Sequence, residues 1–184
     1  MKTLCIERST GECRNGDWVE RLDLDGVGRI IVGTGPGSFA GIRSAIAFAQ
    51  GFALGRKCEV LGLPSPCAVA AKVYAGANGG DFPLAVVGDA RRGKFWIALF
   101  EGMNLVCPVF QVERDMLDLR VPKGAKVVTP DSERIDSLLR ETFGERYMGG
   151  VKPTNEGLGA FAEANPSALA AEPLPIYLNP AVRV

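Results

Sequence analysis

The sequence predicts an α/β protein on three observations. A continuous apolar run, Ile30 to Gly33, leads through a glycine-rich turn into an apolar helix. A second strand–helix pair follows, Glu59 to Leu63 and then Ser65 to about Ala75. From Leu84 to Glu113, alternating apolar segments read as a meander. Strands that alternate with helices in the first half call for crossover connections and parallel pairing.

The elements follow in order. Lys2 to Glu7 reads as a short strand. Asn15-Gly16-Asp17 is a turn signal, and Trp18 to Leu24 alternates as a second strand, so the two predict a hairpin. The helix after Gly33 runs from Ser38, its N-cap, to about Gly55. Glu59–Leu63 is closed by Pro64, and Ser65-Pro66 opens the next helix with proline at the first helical position. Gly76 to Asp81 is the linker, which sets two lobes at 1–80 and 81–184. Leu84 to Gly88 and Lys94 to Glu101 are strands flanking the charged turn Asp89-Ala90-Arg91-Arg92-Gly93, and Leu105 to Glu113 is a third. Lys126 to Thr129 is a short strand. Asp131 or Ser132 caps a helix to about Phe143, and Thr154 or Asn155 caps another to Ala164. Prolines extend the tail, Pro173 to Leu178.

Composition removes several function classes. The formal net charge is zero, with 21 basic and 21 acidic residues, so no basic excess marks the whole chain as a nucleic-acid binder in its own right. The same balance does little to keep copies apart. There is no histidine, which removes the commonest general base, the commonest metal ligand and every Ser-His or Cys-His pair. The five cysteines, Cys5, Cys13, Cys58, Cys67 and Cys107, form no C-x-x-C pair and read as small buried hydrophobes of a reducing cytoplasm. Met1 to Thr10 lacks the apolar core of a signal peptide. Ser38 to Gly55 carries Arg43 and Gln50 and is broken by Gly41 and Gly51, so no membrane span is expected.

The glycine loop fits neither the Walker A spacing nor Gly-x-Gly-x-x-Gly, and Ser38 lacks the flanking glycines of a nucleophile elbow. Two readings stay open. The loop is a tight strand-to-helix turn capped by Ser38, or a phosphate lies on the Gly35, Gly37, Ser38 and Phe39 amides. The helix is more telling. Phe39, Ile42, Ile46, Ala49 and Ala53 share one face, and Ala40, Arg43, Ala47, Gln50 and Leu54 share the other. Arg43 alone cannot make a solvated face, so the helix needs cover on both sides, from its own sheet and from either another protein or a further layer of this chain. In the next helix Val69, Ala70, Ala71, Val73 and Tyr74 surround one charge, Lys72. Two neighbouring Ala-rich helices of this kind suggest a docking surface.

These residues resemble the TsaB (YeaZ-type) family. The resemblance rests on Gly33-x-Gly35-Pro36-Gly37-Ser38-Phe39-x-Gly41-Ile42-Arg43, on Gln50-Gly51, on Leu61-Gly62-Leu63-Pro64-Ser65 and on Asp89-Ala90-Arg91-Arg92-Gly93. Lys2 to Thr10 and Pro175-x-Tyr177-Leu178 add to it, and it is close over roughly residues 28 to 101. It implies an actin-like ATPase fold of two RNase H-like lobes. It implies a non-catalytic, cytoplasmic partner of a TsaD-type catalytic subunit in making threonylcarbamoyladenosine beside the tRNA anticodon. The absence of histidine agrees with that role and argues against the glycoprotease label such sequences receive.

The resemblance further implies that the two helices pair with their counterparts in the catalytic subunit, and that the same surface supports a homodimer when the chain is alone. Carried over, Phe39, Arg43, Ile46, Ala47, Gln50 and Leu54 are the interface on the first helix, and Val69, Lys72 and Val73 on the second. A TsaE-type ATPase is the further partner, and tRNA is met only indirectly. No cofactor or metal is expected, ATP or ADP entering only at an interface with partners. Asp89 and Arg91 stand at the turn by the lobe junction.

The chain also departs from the family. Glu7-Arg8-Ser9 stands where Asp-Thr-Ser is usual, and Thr10 to Gly28 is too short for the family's strands and helix there, so the first lobe is shortened. Ala40 replaces the usual threonine. Two alternatives remain: a diverged homodimeric module without the catalytic partner, and a superfamily peptidase- or kinase-like enzyme in which Asp89 is the base and Glu7 a metal ligand.

Overall fold

A computed structural model describes residues 2–10 and 18–178. The predicted turn at Asn15-Gly16-Asp17, and Cys13, lie outside the described residues. The chain divides into two compact units, Met1–Ala68 with Pro153–Ile176, and Val69–Lys152 with Tyr177–Val184. The division expected after residue 80 therefore differs from the one observed. The helix Asn155–Ala164 returns to pack on the first strands, because its Gly157, Leu158, Phe161 and Ala162 face is buried there.

In the first unit, β1 (Lys2–Ile6), β2 (Val27–Gly33) and β3 (Glu59–Leu63) form an all-parallel sheet in the order β1-β2-β3. Apolar runs such as Ile30-Ile31-Val32 suit strands covered on both faces. α1 (Phe39–Ala53) lies on one face, where Ile42, Ala45, Ile46 and Ala49 meet Ile6, Ile30 and Val32. The helix Asn155–Ala164 lies on the other, close to Cys5.

The expected hairpin is corrected. β2, not Trp18 to Leu24, is the neighbour of β1, and it runs parallel. Trp18 and Leu22 are four residues apart, a helical-turn spacing, and both pack against the α1 core. Trp18 meets the Phe48 ring edge-on at 5.3 Å. Arg21 and Leu22 donate to the carbonyls of Trp18 and Val19, a turn pattern that no strand would show.

The second unit holds β4 (Pro83–Arg91), β5 (Lys94–Glu101), β6 (Asn104–Leu105), β7 (Phe110–Glu113), β8 (Lys126–Thr129) and β9 (Tyr147–Gly150). Their order is β6-β5-β4-β8-β9, with β7 also on β5. α2 (Ser65–Gly76) enters this unit from the first. α3 (Leu117–Arg120) and α4 (Ser132–Phe143) complete it, and the returning helix is α5. Ile135, Leu139 and Phe143 form the buried stripe of α4, against Ala85, Val87, Ile97 and Val127. Burying each such side chain is worth about 1.5–3 kcal/mol.

The third strand of the meander is broken into β6 and β7. Pro108 falls in the break and has no N–H for a ladder. β9 escaped the sequence because Tyr147-Met148-Gly149-Gly150 carries two poor strand formers. Of the described cysteines only Cys67 is fully buried; Cys5, Cys58 and Cys107 are half-buried. Burial pushes the Cys5 thiol up to about 11, with Glu163 and Glu156 adding to the shift, so it stays protonated at neutral pH. No helix of the described residues is long and apolar enough to cross a membrane.

Two glycines of α1 have opposite roles. A Cβ at Gly41 would lie 2.1 Å from the Arg8 carbonyl oxygen, whereas one at Gly51 meets nothing within 4 Å. In urea unfolding, Gly41→Ala should destabilise by about 1–3 kcal/mol. Gly51→Ala should stabilise by about 0.8–1.0 kcal/mol.

Candidate functional site

The glycine loop follows from what β1 delivers to it. β1 ends at Ile6, and the Glu7–Ser9 segment crosses directly under the loop. The Ser38 N–H donates to the Ser9 carbonyl at 2.6 Å, and a Cβ at Gly37 would sit 2.3 Å from that oxygen. Ser65, at the start of α2, holds the loop from the other side. Its Oγ accepts from the Gly35 N–H at 3.0 Å, and its own N–H donates to the Gly35 carbonyl at 2.9 Å. The tail closes the third side, the Ile176 N–H donating to the Thr34 carbonyl at 2.9 Å. Ser38 is the N-cap of α1 as expected, its Oγ accepting from the Gly41 N–H at 3.2 Å.

Of the four residues proposed to cradle a phosphate, Gly35 and Ser38 already spend their amides on Ser65 and Ser9. Gly37 is pressed against Ser9, and Phe39 starts the helix and is 59% exposed. An anion would have to displace protein acceptors to reach the Gly35 and Ser38 amides.

Glu7 is the chemically unusual group. Its Oε1 accepts from the Ser9 N–H at 2.7 Å, and its own N–H donates to Asn155 Oδ1 at 2.7 Å. Its Oε2 is buried and has no hydrogen-bond partner. Burial holds the carboxyl above its ordinary range, and Ser9, with Ser65 and the Arg8 backbone after it, only partly opposes the shift. The neighbouring Arg8 lies over the Trp18 ring at 4.7 Å, and burial lowers its pKa, against the pull of Glu7. Among the described residues, no three His, Cys, Asp or Glu side chains gather as a metal site, so Glu7 has no co-ligands there. The signals for Ser65 and Asn155 were in the sequence as helix-start residues, but their bonds to the loop and to Glu7 were not legible.

At the far end of β4, Asp89 accepts from the Arg91 N–H at 2.8 Å, the turn cap that the sequence allows. Its carboxylate also lies 3.4 Å from both Arg91 Nη1 and Arg134 Nε. Asp131 Oδ2 accepts from the Asp89 N–H at 2.9 Å, and Asp131 pairs with Arg134. A carboxylate so engaged is poorly placed as the general base of the enzyme alternative. The sequence reads Asp131 only as a helix cap, and its link to Asp89 is hidden because 42 residues separate the two.

The interface residues divide by burial. On α1, Arg43, Ala47 and Gln50 are exposed, with Phe39 at 59% and Leu54 at 81%. Arg43 lies over the Phe39 ring at 4.9 Å. Ile46 is a correction: it points into the α1 core. Val69 and Val73 are buried too, and only Lys72 of the three α2 candidates is exposed. These positions are carried over with the family resemblance; the helical-face reading groups Phe39 with Ile42 and Ile46, whereas Phe39 is exposed, and both faces of α2 are largely apolar, so periodicity does not say which one is inside.

Residues 20–138 match the family model described as TsaD, tRNA N6-adenosine threonylcarbamoyltransferase. The tRNA threonylcarbamoyladenosine biosynthesis protein TsaB of Escherichia coli K12 is 35% identical over 78 residues, 42% of this chain and 33% of that protein. The match thus spans about a third of that relative's length. A Pseudomonas aeruginosa crystal structure described as similar to peptidase YEAZ superposes with a TM-score of 0.74 at 19% identity, covering 96% of this chain and 99% of that one. YeaZ from the same organism gives 0.72 at 18%, covering 96% and 100%. The α/β fold is therefore the actin-like, RNase H-like one of these neighbours.

Glu7 supplies a pH test. A carboxyl whose folded pKa is raised costs nothing below the unfolded value, about 4.3, and costs progressively more as pH climbs through the folded value. Glu7→Gln keeps an acceptor for Ser9 and removes the charge. In urea titrations it should match the parent at pH 4 and be the more stable protein at pH 7.5. A variant less stable at pH 7.5 than at pH 4, relative to the parent, would contradict the buried-charge account.

Proposed function

The chain belongs to the TsaD family, as a member of the TsaB (YeaZ) type, and on that premise we propose that it is a non-catalytic partner subunit in the synthesis of threonylcarbamoyladenosine on tRNA. Its partner is a TsaD-type catalytic subunit, and a TsaE-type ATPase joins the assembly. The work is cytoplasmic, and no cofactor is proposed for the chain itself.

The observation that carries this reading is the outward face of α1. Phe39, Arg43, Ala47, Gln50 and Leu54 form one ridge at steps of four, four, three and four residues. Ala40, Ser44 and Gly51 lie beside it, all exposed. Arg43 is the only charged side chain between Phe39 and Ala53. A ridge flanked by such small residues lets another helix approach to about 8–10 Å, with little polar surface to desolvate. Helix pairing over this length is compatible with an interface near the standard ~1,600 Å².

Co-expression with the TsaD-type subunit of the same organism, followed by light scattering, tests the proposal. A one-to-one complex is expected. Arg43→Glu and Ala47→Arg should each weaken it at least tenfold, about 1.4 kcal/mol, while leaving the melting temperature of the chain unchanged. A complex that tolerates both substitutions would remove α1 from the interface. A chain that remains a homodimer and ignores the catalytic subunit would favour the diverged homodimeric module.

A further inference from the structure

The hairpin joining β4 to β5 turns through Arg92 and Gly93, with φ of 55° and 74°, just after Arg91 at 68°. Two-residue hairpin loops with positive φ at both central positions favour Asn-Gly or Asp-Gly. Among the described residues, the non-glycine positions with positive φ are Asn78, Arg91 and Arg92. Asparagine tolerates that region; arginine has no such excuse.

Nothing inside the fold requires a guanidinium at position 92, whereas Arg91 pairs with Asp89. Both arginines are exposed, and Arg92 has no partner among the described residues. Backbone strain of this kind persists where a ligand contact rewards the side chain that causes it. The surroundings point to the kind of ligand. Asp89, its carboxylate only 17% exposed, holds Arg91 and Arg134 at 3.4 Å from the same Oδ2 atom. Arg134 shares Asp131 as well. Two guanidiniums thus share two carboxylates, with Arg92 next in the turn, and none of the exposed large apolar side chains among the described residues belongs to the turn. An apolar anchor of the type that centres protein interfaces is missing from the turn.

We infer that Arg91, Arg92 and Arg134 form a contact for the phosphodiester backbone of RNA. The inference rests on the tRNA-modifying role proposed above and adds a direct contact where only an indirect one was expected. The planar guanidinium fork matches phosphate oxygens bidentately, and its pairing with Asp89 presets two of the three side chains. Such a contact is sequence-independent, and because the chain has no net charge to add long-range attraction it is read best at low salt.

The test uses the purified full chain, fluorescently labelled bulk tRNA and anisotropy at rising salt. Arg92→Asn and the double variant R91N/R92N put the residue that the backbone prefers at the strained positions, so folding is kept and the melting temperature should hold or rise. The double variant should bind about tenfold more weakly or worse, and its plot of log affinity against log salt should flatten by about two. Unchanged affinity and slope, or no tRNA binding by the parent at low salt, would overturn the contact. Co-purification with the TsaD-type subunit should be unaffected by the double variant; its loss would assign the turn to a protein and overturn the inference. If the parent fails that co-purification but keeps arginine-dependent tRNA binding, the docking proposal falls and the RNA contact stands.

Discussion

Arg8 and Ser9 present their carbonyl oxygens to Gly41 and Gly37 so closely that no side chain could stand between them. That approach brings the end of β1 underneath the loop that starts α1, and Ser38 fixes it with a hydrogen bond to Ser9. The direction of α1 follows. With its first turn pinned to Arg8 and Ser9, and Ile42, Ala45, Ile46 and Ala49 seated on Ile6, Ile30 and Val32, the opposite ridge has no choice but to face outward. The loop therefore serves to aim a helix, and Gly37 and Gly41 are needed for the close approach to Ser9 and Arg8.

The cost of this design sits at Glu7. A buried carboxylate oxygen without a partner is an unfavourable group, and the fold keeps it beneath the loop. The three bonds around it, from Ser9, to Asn155, and between Ser65 and Gly35, tie together the ends of β1, α5, α2 and the loop. Burial raises the energy of the ionised form, so the junction is least burdened when the carboxyl carries its proton. A residue with a shorter or neutral side chain would relieve the burden, and Gly33 shows how tight the fit is: a Cβ there would overlap the Glu7 carboxyl.

What the sequence disclosed and what it hid separate along physical lines. β3 and β5 coincide with their apolar runs, and α1 and α5 begin at the caps Ser38 and Thr154, because local pattern and local chemistry decide such features. Trp18 to Leu24 misled because two bulky side chains four residues apart also fit a period of two if the residues between them are ignored. The burial of Val69 and Val73 was illegible because an α2 apolar all round carries no phase. The Asp89–Asp131–Arg134 cluster was out of reach for a different reason: it is assembled by β4 and β8 lying side by side, and pairing of distant strands leaves no local signal.

The two surfaces singled out differ in chemistry, and that difference constrains what each can meet. The α1 ridge has one charge and several exposed small residues, so a partner loses little hydration on approach and gains close packing; the natural counterpart is another helix. The β4–β5 turn offers the reverse. Guanidiniums are costly to bury in an apolar seam but well matched to a polyanion, whose released counterions supply the driving force. A neutral chain with both patches can therefore associate with a protein through one and touch RNA through the other without the same residues serving two masters. Asp89 is what keeps the second patch from being merely basic. By holding Arg91 and Arg134 on one oxygen it sets their positions in advance, so less conformational freedom remains to be lost when a phosphate arrives.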